Sequence, residues 1–261
     1  MPTKGSRGPW LWPLALAALG VVLLLNNFLL FSDFNVTALW PLLLVVAGTQ
    51  ILLRGDLVPS ADVRTFGITR GSVEEATLEI SAGEIDVQIR GLQREGRLIA
   101  GQYAAGARPG MVVNDTQAFL KMDRASTPWL SFADWEMGLA RDLPWQILVS
   151  THLGQVTLDL STIIVRGVVA ATGFGDIRLI CPPEALGTLR LRSSLGNIHI
   201  TTPHGYRTQI TVHGSRLLGI HADEHRYQQP EKNVFVAYDA QEGAPLVEID
   251  VSGTFGDVYL A

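Results

Sequence analysis

The sequence predicts a mostly β protein: an N-terminal transmembrane α-hairpin followed by a single-chain β-solenoid of stacked coils. Three observations carry this expectation. The apolar excess of the 261 residues is concentrated before Arg54. Beyond it, a motif of glycine, a polar residue and alternating apolar residues recurs five times. No helix-length amphipathic pattern competes with the strand-like alternation of that second part.

The first element is an almost unbroken apolar run over 10–31. As a helix it would be roughly 33 Å long, enough for a hydrocarbon core of about 30 Å. A polar stretch, Ser32 to Thr37, leads to a second run over 38–53. That run reaches only about 24 Å, so spanning would need local thinning and snorkelling of Arg54. Both runs share a tripeptide, Trp12-Pro13-Leu14 and Trp40-Pro41-Leu42, which puts an interfacial aromatic and a first-turn proline at each helix start. The expected organisation is therefore a cytoplasmic N-terminus (1–9), a two-helix hairpin (10–54), a linker (55–75) and a repetitive β-solenoid domain (76–261).

Lys4 and Arg7 precede the hairpin, Arg54, Arg64 and Arg70 follow it, and the loop between the runs holds only Asp33. The positive-inside rule then places both ends in the cytoplasm: a multi-pass protein of the cell membrane with the β domain on the cytoplasmic side. A second run that failed to span would reverse this.

Of the 20 Lys/Arg and 25 Asp/Glu residues, three and one lie before Gly55, leaving 17 basic against 24 acidic residues beyond it. A mildly acidic domain without a Lys/Arg cluster argues against nucleic acid as a partner. The single cysteine, Cys181, lies in an apolar strand and reads as buried filler.

The repeats begin at Gly83, Gly154, Gly175, Gly196 and Gly256, and the three central glycines are spaced evenly along the chain. In each, every second residue is apolar, as in Ile177 and Leu179 or Ile198 and Ile200, so one face of a strand must be buried. Second strands are expected over 163–169, 189–192 and 209–212, set off by turns such as Pro182-Pro183-Glu184 and Pro203-His204-Gly205. Each glycine answers a corner too tight for a Cβ. In-register stacking would line up Gln155, Asp176 and Asn197 as a ladder in which amides flank one acid. One acid per step is too few oxygens for calcium. Upstream strands are expected over 76–80, 85–89, 97–103 and 117–122. Trp129, Phe132, Trp135 and Trp145 form an aromatic cluster that seals an end of the solenoid or offers a partner surface.

These residues resemble a known family. Leu143-Pro144-Trp145-Gln146-Ile147-Leu148-Val149, then Leu153 to Ser161 with its Leu158-Asp159-Leu160-Ser161 step, then Gly173-Phe174-Gly175-Asp176-Ile177, are similar to LiaF-like bacterial cell-wall stress proteins and their toast-rack domain. The paired Trp-Pro segments resemble the transmembrane region of LiaI and LiaF proteins. Family copies often carry Gly-x-Gly at the turn, whereas Leu153-Gly154 and Leu195-Gly196 stand here. The resemblance implies a membrane protein with a cytoplasmic β domain that, in some members, restrains a sensor histidine kinase.

Catalytic patterns are weak. His221-Ala222-Asp223-Glu224-His225 has the spacing of an inverted zinc-protease motif, but such a motif needs one helix, and this one follows a strand-like Gly219-Ile220. His199, His204 and His213 do not converge. Asp159 and Asp176 would have to meet across a cleft to act as a glycosidase pair. The expectation is a non-enzymatic protein without cofactor or metal, working in envelope-stress signalling through contacts of its β domain. Its partners would be the lipid bilayer and either a membrane sensor kinase or a second copy of itself. The rival reading is a membrane-associated scaffold or adhesin-like solenoid.

Overall fold

The computed structural model describes residues 63–93, 96–104, 109–123, 134–238, 240–241 and 243–261. The chain divides between Gly55 and Asp56, and every described residue belongs to the second unit. The expected hairpin, 10–54, lies outside the described residues, as do Trp129 and Phe132. None of the described residues forms a helix long and apolar enough to cross a membrane.

The described residues form nineteen strands. β1 (Val63–Thr69) pairs antiparallel with β4 (Arg97–Ala104), which pairs antiparallel with β7 (Trp135–Leu139). The segment expected to be a linker thus contains a strand, because Phe66 and Ile68 pack their apolar side chains against the core.

Most of the other strands pair up into two-faced rungs. A long strand on one face turns at a corner into a short strand on the other, except that the connection from β6 (Gln117–Asp123) to β7 lies outside the described residues. The rungs are β2 (Glu75–Gly83) with β3 (Val87–Gly91), β6 with β7, β8 (Trp145–Leu153) with β9 (Val156–Asp159), β10 (Ile164–Phe174) with β11 (Ile177–Ile180), and β13 (Leu189–Leu195) with β14 (Ile198–Thr201). They continue with β15 (Arg207–Gly214) and β16 (Leu218–Ala222), and with β19 (Leu246–Leu260), which runs through both faces. Neighbouring rungs are parallel and in register. Ile177 pairs with Val156 on one side and Ile198 on the other, and Val168 pairs with Ile147 and Leu189.

Between the faces lies one dry core. Ile147, Val168, Leu189 and Ile249 from the long strands meet Val156, Ile177, Ile198 and Val258 from the short ones, all fully buried. The alternation read from the sequence is what places them there.

The order of rungs differs from a simple solenoid. Coils follow sequence order only through the centre, from β8/β9 to β10/β11 to β13/β14. At one end β2/β3 lies between β6/β7 and β8/β9. At the other end β19 lies between β13/β14 and β15/β16. The first and last rungs of the chain are therefore interior. On the long-strand face the outermost positions go to hairpin strands, β5 (Gly110–Asn114) on β6 and β17 (Tyr227–Glu231) with β18 (Val234–Ala237) on β15, whereas on the short-strand face they go to β1 beyond β4 and to β16. Antiparallel hairpins close the stack with strands whose pairing needs no further coil.

Candidate functional site

The glycine corner is where the fold is most exacting. A Cβ on Gly175 would lie 2.2 Å from the Gly154 carbonyl oxygen, one on Gly196 2.1 Å from that of Gly175, and one on Gly256 2.2 Å from that of Gly196. Gly175 and Gly196 have φ of +150°, and Gly256 has +122°. Only glycine satisfies both conditions. Gly83 is the exception among the five. The register sets Val87 against Val156, so Ile85 rather than Gly83 underlies Gly154, and this copy is offset by two residues. Gly83 instead makes its own turn at φ +65°.

Three residues before the corner glycines, hydroxyls form a buried column. Thr151 and Thr172 both donate to the Gly154 carbonyl at 3.1 Å, and Ser193 donates to that of Gly175 at 3.3 Å. These bonds satisfy carbonyls that the turn removes from the ladder.

On the far side of the glycines stands the expected polar ladder, now extended. Asp86, Gln155, Asp176, Asn197 and Asp257 occupy successive rungs. The acids do more than rest between amides. Asp86 Oδ1 accepts from the Gln155 backbone N–H at 2.7 Å, Asp176 Oδ1 from Asn197 at 2.8 Å, and Asn197 Oδ1 from Asp257 at 3.0 Å. At the β7 end, partial burial and then the charges of Asp86 and Glu136 hold the Asp134 carboxyl above its ordinary range. No group of three His, Cys, Asp or Glu side chains is placed to hold a metal among the described residues.

The corner also carries an apolar ridge that the sequence reading missed. Leu153, Phe174, Leu195 and Phe255 each precede a corner glycine and pair with one another across successive rungs. They are 51%, 57%, 48% and 47% exposed. Leu217 adjoins Leu218, which pairs with Gly256, so it extends the line, at 62% exposure. Each ridge side chain has the parity of the core positions before it: 147, 149 and 151 point inward, and 153 should follow. The strand has by then run past the core, and the side chain emerges in solvent. A large apolar residue directly before every corner glycine was the available signal.

The other sequence candidates scatter. Trp135 and Trp145 are fully buried and present no surface, and Trp145 donates its indole N–H to the Ala140 carbonyl at 2.8 Å. His221 lies in β16, whereas His225 sits in a turn, its backbone N–H bound by Asp223 Oδ1 at 2.9 Å. His221 instead stacks on Tyr259, which stacks on His199, with ring centroids 5.1 and 4.8 Å apart. Asp159 is level with Ile180, at the opposite end of the short strands from Asp176, and its Oδ1 accepts from the Ser161 hydroxyl at 2.7 Å. Cys181 is fully buried with its sulfur 3.7 Å from the Thr202 hydroxyl, and burial pushes its thiol up to about 12.

Residues 11–69 match the family model of the LiaF transmembrane domain, and the match ends on the last residue of β1. A crystal structure of a candidate cell adhesion protein from Clostridium sporogenes is similar to this chain at a TM-score of 0.64 and 15% identity. It covers 76% of this chain and 97% of its own. That likeness establishes a shared mostly β fold. A candidate adhesin from Bacteroides fragilis gives a TM-score of 0.33 at 11% identity, covering 78% of this chain and 99% of its own. No curated protein matches the chain.

Proposed function

We propose, for a chain that carries a LiaF transmembrane domain at 11–69, a non-enzymatic regulatory role in bacterial cell-envelope stress signalling. Membrane association follows from that domain. The finer reading is that hydrophobic segments within 10–54 hold the β rack at the cytoplasmic face, where it contacts a membrane sensor kinase or a second copy of the chain. One observation carries this: the transmembrane match runs without interruption into β1, so anchor and rack are covalently continuous through one strand of the rack itself. Tethering raises the effective concentration of a lateral partner, so that modest contacts suffice.

The absence of enzymatic activity is part of the proposal. It is supported by the separation of Asp159 from Asp176 and by the strand-and-turn setting of His221 and His225. The test is the response to a cell-wall antibiotic in the host bacterium lacking this chain. Loss of normal control over the envelope-stress response is expected, restored by the full chain. An unchanged response removes the signalling role.

The alternative, an adhesin-like or scaffolding rack, draws on the fold shared with the Clostridium sporogenes protein. It predicts concentration-dependent assembly of the full chain in detergent, and a β domain accessible from outside intact cells.

A further inference from the structure

Among the described residues, nothing covers the ridge of Leu153, Phe174, Leu195, Phe255 and Leu217. Soluble monomers rarely display a continuous line of large apolar side chains at half exposure without a use for it. At a rung spacing of about 4.8 Å, the line from Leu153 to Phe255 is roughly 14 Å long. Its exposed area is on the order of 500 Å², below the roughly 800 Å² per partner that a stable protein interface buries. A freely diffusing second copy would gain too little from it. A surface to which the chain is already tethered needs far less.

The position of the chain's entry identifies that surface. β1 starts at Val63, opposite Ala104, with Arg64 opposite Tyr103. Gly101 pairs with Met137 in an antiparallel ladder, so Tyr103 is level with Trp135, which pairs with Val87 and through it with Val156. The chain therefore enters the β domain at the end of the rungs that carries the glycine corner. Four strand spacings, about 19 Å, separate this entry from the first ridge rung along the same edge. The apolar run of the sequence ends at Leu53, and residues 55–62 extend to no more than about 28 Å. The ridge thus shares its edge with the point where the chain from the apolar run enters the β domain.

We infer that the exposed leucine and phenylalanine ridge of the glycine corner docks into the interfacial zone of the lipid bilayer, laying the rack edge-on against the membrane. The inference rests on membrane association alone and not on the signalling role. The flanking column of Asp86, Asp176 and Asp257 disfavours anionic headgroups, so the occupant is the apolar boundary of the bilayer rather than its charge.

The experiment uses the full chain in vesicles of zwitterionic phosphatidylcholine. Leu153→Cys, Phe174→Cys and Leu195→Cys are labelled one at a time with a small fluorophore, Cys181 being buried. Leu186→Cys serves as control, since Leu186 is 64% exposed and follows β12 (Glu184–Ala185), which pairs with the opposite end of β10. Lipids carrying bromine on their acyl chains should quench the three corner probes at least twofold more than the control, and aqueous iodide should do the reverse. A Phe174→Ser/Phe255→Ser background should abolish lipid quenching at Leu153→Cys while near-ultraviolet circular dichroism stays unchanged. Equal quenching of corner and control overturns the inference. So does shielding from iodide without lipid quenching, which marks a protein occupant. A chain that fails to float with the vesicles removes the membrane anchor, and the docking with it; flotation with unquenched corner probes removes the docking alone.

Discussion

Gly175 shows how little freedom a single position has in this fold. Its φ of +150° is one that L side chains rarely adopt, and a Cβ there would overlap a backbone oxygen of the neighbouring rung. Backbone cannot swing aside as a flexible side chain can, so strain and overlap add. Gly175→Ala should cost about 2–4 kcal/mol, read as a fall in the denaturant midpoint of the β domain at unchanged slope. Gly71→Ala is the comparison, since its φ of +58° lies in the left-handed basin that other residues occasionally occupy and nothing lies within 4 Å of the new Cβ. It should cost about 1 kcal/mol. Equal costs would mean that rungs do not approach at the corner as described. The recurring motif makes Gly154, Gly175, Gly196 and Gly256 legible as corners in the sequence, the first three also by their even spacing. Gly83 begins a copy whose pairing is shifted by two residues: Val87 stands against Val156, so Ile85 takes the place that glycine holds in the other copies, which local pattern does not disclose.

Strand alternation read the inward faces correctly wherever both flanking rungs cover them, as at Ile177, Leu179, Ile198 and Ile200. It misplaces Leu153, Phe174, Leu195 and Phe255 because parity states which way a side chain points and not whether core remains there to meet it. Nor does local pattern reveal the closure where β14 ends and β17 begins. There the Tyr227 hydroxyl donates to Thr202 Oγ1 at 2.7 Å, Thr202 and Thr208 share a hydrogen bond at 3.1 Å, and Cys181 lies behind them. Burial pushes both the Cys181 thiol and the Tyr227 phenol up to about 12, from ordinary values of 9.0 and 10.0. Raised values mean that the folded state holds protons the unfolded chain releases. The associated stability is complete below pH 9 and is lost as pH rises toward 12. Ionisation of Cys181 in the unfolded chain should remove on the order of 1 kcal/mol per pH unit across that window, and Tyr227 should steepen the loss above pH 10. In equilibrium unfolding between pH 8 and 11.5, Cys181→Ala should flatten the decline. A wild-type slope no steeper than the variant's would place the thiol in contact with water.

At the scale of the whole molecule, the interior placement of β2/β3 and β19 separates this rack from a solenoid wound in sequence order. A 21-residue spacing of glycines records that units resemble one another, and says nothing about which unit lies beside which; the sequence therefore disclosed the rungs but not their permuted ends. The difference is measurable by removing residues 246–261. In a sequence-ordered stack this deletes an end coil, and the remaining rungs keep their pairing. Here it withdraws the partner of β13 and β14 on one side and of β15 and β16 on the other, leaving two pieces with no common core. The shortened chain should lose cooperative unfolding by circular dichroism. Retention of a single sharp transition would contradict the permuted order. The same strand sets a timetable. β19 follows every strand it joins, so its slot between β13 and β15 stays vacant during synthesis until all the other rungs have been made, long after the apolar N-terminal run has emerged. The apolar run thus meets the cell while the rack behind it is still open.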